Sequence, residues 1–182
     1  VEYYSFGEQN QDYENSSTAI QWDSVLNDRF ATSFRVSKIT DNIEQNVANF
    51  LAQLDHATTD RKEIDAKIDI MINEIATFSV GLLSAEEDID ALSFGTQIVE
   101  KTSIDETYAS LQTHLGQHNA AVSIRNTDHE DFGQQKTWNL DYQYQLEPAI
   151  RIFTGLGSAF RAPDHTDRFG SLGNPLLEPE TS

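Results

Sequence analysis

Apolar and polar residues alternate along much of the chain with a period of two. In Glu63 to Ile72, EIDAKIDIMI, the residues Ile64, Ala66, Ile68, Ile70 and Ile72 share one face. Glu63, Asp65, Lys67 and Asp69 share the other, with Met71 as the exception. Thr137 to Leu146, TWNLDYQYQL, repeats the pattern: Trp138, Leu140, Tyr142, Tyr144 and Leu146 oppose Thr137, Asn139, Asp141, Gln143 and Gln145. Such alternation marks a strand with one apolar and one polar face. Six further segments follow it more loosely, around Ile20–Leu26, Phe30–Val36, Ala76–Leu82, Ala109–Leu115, Ala120–Ile124 and Ile150–Leu156. The pattern predicts about eight strands of roughly 8–14 residues. No segment carries a convincing helical stripe.

The connections alternate as well. Short ones fall near Asn27-Asp28, Asn73-Glu74, Gly116–Asn119 and Glu147-Pro148, each with residues that favour turns. Between them lie longer polar stretches, about Ser37–Thr58, Glu86–Ser103, Asn126–Lys136 and from Arg161 onward. Strands joined by short turns are antiparallel neighbours. All short turns then lie at one end of the sheet and all long connections at the other, which is the asymmetry of an outer-membrane barrel.

Alternation alone leaves two environments open for the apolar face: lipid in a barrel, or a second sheet in a soluble β-sandwich acting as a binding module. Three observations favour lipid. The apolar positions carry no charge, as expected where a midplane Arg or Lys costs about 2–4 kcal/mol. The opposite face carries both signs, which suits a wet interior. Aromatic residues fall near strand ends, with Phe30 and Tyr144 by short turns and Trp138 by a long connection, as in interfacial belts. The predicted fold class is all-β, an antiparallel up-and-down transmembrane β-barrel segment of about eight strands that does not complete a barrel.

Composition removes several functions. The chain has 182 residues with 12 basic and 30 acidic side chains, a net charge of −18. Nucleic acid is an improbable partner for such a surface, because phosphate binding needs basic residues. Cysteine is absent, so there is neither a disulfide framework nor thiol chemistry. No apolar run is long enough for a transmembrane helix. The chain begins at Val1 without an initiator Met, and it reads as a mature segment or a piece of something longer.

Candidate chemistry is sparse. AEEDID, Ala85 to Asp90, gathers carboxylates in a predicted long loop. Calcium takes several oxygen ligands, but the spacing is not that of an EF-hand, and a solvated loop is the simpler reading. DHED, Asp128 to Asp131, invites zinc or a solvated tip, with the tip favoured. His56, His114, His118 and His165 are scattered without metal-ligand spacing. GLGSAF, Gly155 to Phe160, lies on a strand and opens no helix, which argues against a phosphate loop. No nucleophile motif supports a hydrolase. Neither a catalytic residue nor a metal or cofactor is expected.

The C-terminal residues carry a resemblance. FRAP, Phe160 to Pro163, is followed about ten residues on by GNPLLEPETS, Gly173 to Ser182. Upstream stand IRNTDHEDFG, Ile124 to Gly133, and FGQQKTWNLDYQYQL, Phe132 to Leu146. In combination these segments resemble the barrel of TonB-dependent outer-membrane receptors, closest to the branch for vitamin B12 and siderophores. The matching part is about a third of the chain. The resemblance implies a bacterial outer-membrane location, surrounding lipid, and import of a scarce small molecule such as a corrinoid or a ferric siderophore. It also implies a barrel of 22 strands with a separate plug, through which TonB would act. Neither plug nor TonB box is recognisable here, so residues 1–182 read as a partial barrel domain. The segment from Arg161 would be an external loop leading to a further strand.

Exposed loops on a rigid scaffold usually carry binding. Within the external loop, Arg161, His165, Arg168 and Phe169 are candidate ligand donors and stacking surfaces. Pro163, Pro175 and Pro179 fix the backbone, and Gly173 permits a turn. VEYYSF at the start is read as another external loop, with Tyr3 and Tyr4 as candidate aromatic contacts. The acidic loops disfavour a bare anionic ligand.

Overall fold

The computed structural model describes residues 9–47, 55–93, 95–170 and 173–182. Eight strands run in chain order: β1 (Gln9–Asn27), β2 (Phe30–Val47), β3 (Asp55–Asn73), β4 (Ala76–Ser93), β5 (Thr96–Leu115), β6 (His118–His129), β7 (Gly133–Glu147) and β8 (Ile150–Gly157). They form a single sheet in the order β1-β2-β3-β4-β5-β6-β7-β8, every neighbouring pair antiparallel. This is an up-and-down meander that does not close on itself. A short β9 (Phe160–Arg161), helix α1 (His165–Phe169) and β10 (Glu180–Thr181) follow. β9 continues from β8 after two residues and pairs antiparallel with β10.

The short turns form where the side-chain chemistry calls for them. Asn27 Oδ1 accepts from the backbone N–H of Arg29 at 2.9 Å and of Phe30 at 3.1 Å. Asn73 Oδ1 accepts from Ile75 N–H at 3.0 Å. Each side chain closes a turn that the backbone alone leaves open. A register shift sits beside three of these turns, at Val25/Asn27, Met71/Asn73 and Gln145/Glu147. Such bulges bend a sheet and add twist. Gly116 at φ 60° supplies the fourth turn with a left-handed residue.

The register carries the apolar face across the sheet. One row runs Phe30, Ile70, Phe78, Leu111, Val122, Leu140, Leu156. Its neighbour runs Thr32, Ile68, Val80, Ala109, Ile124, Trp138. Nothing among the described residues covers these rows: Leu156 is 65% exposed, Ile124 61% and Trp138 47%. A sandwich would bury them against a second layer, and among the described residues no second sheet stacks on them. Tyr144 stands at the belt's lower edge, and its hydroxyl donates to Gln117 Oε1 at 3.1 Å. Apolar ring and polar tip thus face different media, the arrangement of an interfacial aromatic.

The strands are longer than the alternation implied. β1 to β5 have 18 to 20 residues each, against roughly 9–11 needed to cross a bilayer. About half of each strand therefore projects past the apolar belt. The stretches Ser37–Thr58 and Glu86–Ser103, read from sequence as long loops, are mostly strand. AEEDID belongs to β4, not to a loop. In these upper halves the outward face turns polar, while the inward face mixes charged and hydroxyl groups with Ile89, Ala91, Ile98 and Ile104, so the belt's alternation is lost while backbone pairing continues. Thr58 Oγ1 donates to Asn42 Oδ1 at 2.9 Å across β2 and β3, a cross-strand bond of the kind that sustains such pairing.

The inward face holds the polar side chains. Tyr108 lies over Gly81, where a Cβ would meet its Cζ at 2.2 Å. The glycine leaves a slot for the ring, and the ring covers its bare backbone. Tyr108 Oη donates to Asp65 at 3.0 Å, and the Arg125 guanidinium sits 5.6 Å from the ring centroid.

Candidate ligand-binding cavity

Beyond the belt, the inward faces of β3 to β7 form the floor of a cavity of about 720 Å³. The chain after β8 folds back over it as a roof. Alternation selects the floor: Arg61, Glu87, Glu106 and Arg125 face inward, between outward-facing neighbours in their strands. Ile89, Ala91, Ile98 and Ile104 supply apolar lining. The volume is in the range of small-molecule sites.

Charges on the floor are matched within the chain. Arg61 reaches Glu63 at 3.1 Å and Glu87 at 3.4 Å. Arg125 reaches Glu106 at 2.9 Å, and Thr127 Oγ1 donates to the other oxygen of Glu106 at 3.0 Å. Paired guanidiniums offer little to a bare anion. What remains for a ligand is hydroxyls, notably Thr59, Thr102 and Thr137, beside the apolar wall.

The roof is built locally. Asp164 caps α1 by accepting from Asp167 N–H at 2.7 Å, while the Asp167 carboxylate accepts from Asp164 N–H at 3.4 Å, a capping box. Its ends are tied to the sheet. Trp138 N–H donates to Ser158 Oγ at 3.1 Å, and Ala159 and Ser182 exchange backbone bonds of 3.0 and 3.1 Å. Arg168 projects from α1 to Asp131, 2.5 Å away, at the β6–β7 turn. Its guanidinium also lies 4.9 Å from the Phe132 ring centroid and 4.7 Å from that of Phe169. Its side chain is only 13% exposed.

The residues singled out from sequence separate here. His165 and Arg168 line the cavity. Phe169 is not among the lining residues and flanks Arg168 instead. Arg161 also lies outside the lining; it is 71% exposed and 3.9 Å from Glu180. Tyr3 and Tyr4 lie outside the described residues. Sequence reasoning did not single out Arg61, Glu106 or Arg125, took Glu87 with AEEDID as part of a solvated loop, and read His129 with DHED as part of a solvated tip. His129 is instead buried and packs 5.0 Å from Phe132 and 6.4 Å from Phe160, centroid to centroid. Strand alternation continued past the belt would have placed Arg61, Glu87, Glu106 and Arg125 inward.

The acidic run of β4 is divided by the pleat, with Glu86, Asp88 and Asp90 outward and Glu87 inward. Lys101 reaches Glu86 at 2.8 Å and holds its carboxyl below the usual range; Glu86 in turn raises Lys101. Hydrogen bonds from Thr40 and Lys38 likewise lower Asp60. Among the described residues, no group of three or more His, Asp or Glu is placed to hold a metal ion.

Comparison with known proteins agrees with this architecture. The family model for the TonB-dependent receptor-like β-barrel matches residues 2–182. The vitamin B12 transporter BtuB of Vibrio vulnificus is 31% identical over 115 residues, 60% of this chain and 18% of that protein. BtuB of Vibrio cholerae is 27% identical over 118 residues, again 60% of this chain and 18% of that protein. The chain thus aligns with under a fifth of these relatives. The siderophore receptor PirA from Pseudomonas aeruginosa superposes with a TM-score of 0.59 over 93% of this chain and 40% of its own, at 16% identity. An open antiparallel meander, an uncovered apolar belt and this match over nearly every residue lead to one assignment: the chain belongs to the TonB-dependent receptor family and supplies strands of its β-barrel.

Proposed function

We propose that the chain forms part of the wall of an outer-membrane receptor that binds a scarce small molecule on its outer side and admits it. The ligand class is a corrinoid or a ferric siderophore, in line with the names of the similar proteins. The observation that carries this reading is the position of the cavity. It lies on the inward face, beyond the apolar belt, at the end of the sheet away from the turns at Asn27, Asn73, Gly116 and Glu147. A ligand arriving from outside would meet it first. Neutralised guanidiniums, threonine hydroxyls and an aliphatic wall suit a large ligand with amide or hydroxyl edges better than a small anion. TonB would act through a plug, which the described residues do not include.

Uptake of labelled cyanocobalamin, and of iron supplied as a ferric siderophore, into cells whose sole receptor is the full protein tests the reading. Accumulation of one of them that ceases when TonB is deleted is the expected result. Absence of both, with the receptor present in the outer membrane, would overturn it.

A further inference from the structure

We propose that the segment from Ser158 to Gly170 is a strap, closed over the cavity by Arg168 and released by acid through His129. This rests on the inward cavity being the working face of the barrel, not on the identity of the ligand. Arg168 is the only strap side chain that ties α1 to the β6–β7 turn by an ion pair among the described residues. Its partners there, Asp131 and Phe132, are adjacent in sequence. Removing either the guanidinium or the carboxylate strands a partly buried charge.

His129 positions that turn. The backbone N–H of Asp131 donates to His129 Nδ1 at 3.2 Å, and only an unprotonated Nδ1 can accept. The imidazole also packs against Phe132. Protonating Nδ1 removes the bond that sets Asp131 and Phe132 in place for Arg168. The charged and titratable groups facing His129 are Asp131 of the same turn, Glu87 of β4, and Arg168 and His165 of the strap. Asp131 and Glu87 favour the imidazolium, whereas Arg168 and His165 oppose it. Burial is the largest influence and holds His129 below its ordinary value. The sign follows. The closed strap is favoured while His129 is neutral, fully so above the ordinary histidine value of about 6.5, and progressively less as pH falls below it.

The absence of cysteine permits a clean test on the full receptor in detergent. Thr102, 4% exposed in the cavity, is replaced by Cys, and its labelling rate by a charged thiol reagent is divided by that of a control Cys at outward-facing Ser16. The ratio is expected to rise up to about tenfold from pH 7.5 to pH 5.5, the most that one titrating group allows one unit below its free value. Arg168→Met should raise the ratio about tenfold or more at both pH values, given the strength of charged hydrogen bonds. His129→Gln should abolish the pH response. The exchange Arg168→Asp with Asp131→Arg should restore slow labelling, which distinguishes a lost latch from a misfolded variant. An unchanged ratio in Arg168→Met would overturn the latch. A pH response persisting in His129→Gln would overturn the switch.

Discussion

The lower and upper halves of the same strands obey different rules. Near the short turns, the sheet shows an aliphatic face to one side and polar groups to the other. Past the belt the outward face turns polar, and the inward one, a mixture of charged, hydroxyl and aliphatic groups, is built over by the strap. Backbone pairing runs through both halves of β1 to β5. What changes is the medium. Lipid forbids charge on one face and so imposes a pattern, whereas water imposes none and leaves residues free to be chosen for contacts.

The largest expected difference comes from placing charge on the belt. Leu111→Arg, between Phe78 and Val122, should destabilise the full receptor by about 2–4 kcal/mol in lipid. Ser110→Arg, one residue away on the inward face, should cost a small fraction of that. Equal losses in urea titrations of the two variants would mean that the belt does not face acyl chains.

Next comes the inward slot. Gly81→Val puts a side chain where the Tyr108 ring lies, and overpacking of this kind costs about 1–3 kcal/mol. Combining it with Tyr108→Ala should recover part of the loss. A double variant no better than the sum of the singles would deny that the two residues share the space.

A smaller effect belongs to the cavity floor. Thr127→Val deletes a hydroxyl that donates to Glu106 and should lower stability by about 1 kcal/mol. Because Arg125 still pairs with Glu106, ligand affinity should move little unless the ligand bonds Thr127 directly. A titration with the transported ligand checks both.

The smallest effect belongs to the exposed ion pairs above the belt. Glu86 is lowered by Lys101, so its contribution is present above its ordinary value and lost as pH falls through the lowered one. Surface pairs of this kind are weak and screened by salt. Lys101→Gln should leave the urea midpoint unchanged at physiological salt. A clear drop would show that the upper sheet depends on these charges.

Legibility in the sequence followed the same division. Ile64 to Ile72 and Trp138 to Leu146 declared strand, face and environment because lipid had filtered every second residue. Thr40 to Glu44 and Glu86 to Asp90 were read as loops because no filter acts there, although their backbones remain paired. The strap's composition was legible, and with it His165 and Arg168 as candidates. The contacts of Arg168 were not, since Asp131 and Phe132 lie more than thirty residues away in the chain.

By itself, the sequence determined which residues face lipid and where the chain reverses at the lower end of the sheet. Both are local consequences of side-chain hydrophobicity, pleat geometry and turn chemistry. Only the tertiary structure decided that the chain after β8 folds inward over the cavity, that Tyr108 occupies the space above Gly81, and that Arg168 meets Asp131. Each requires distant strands to be brought into register, and the partners of a polar side chain are set by that register rather than by its neighbours in sequence.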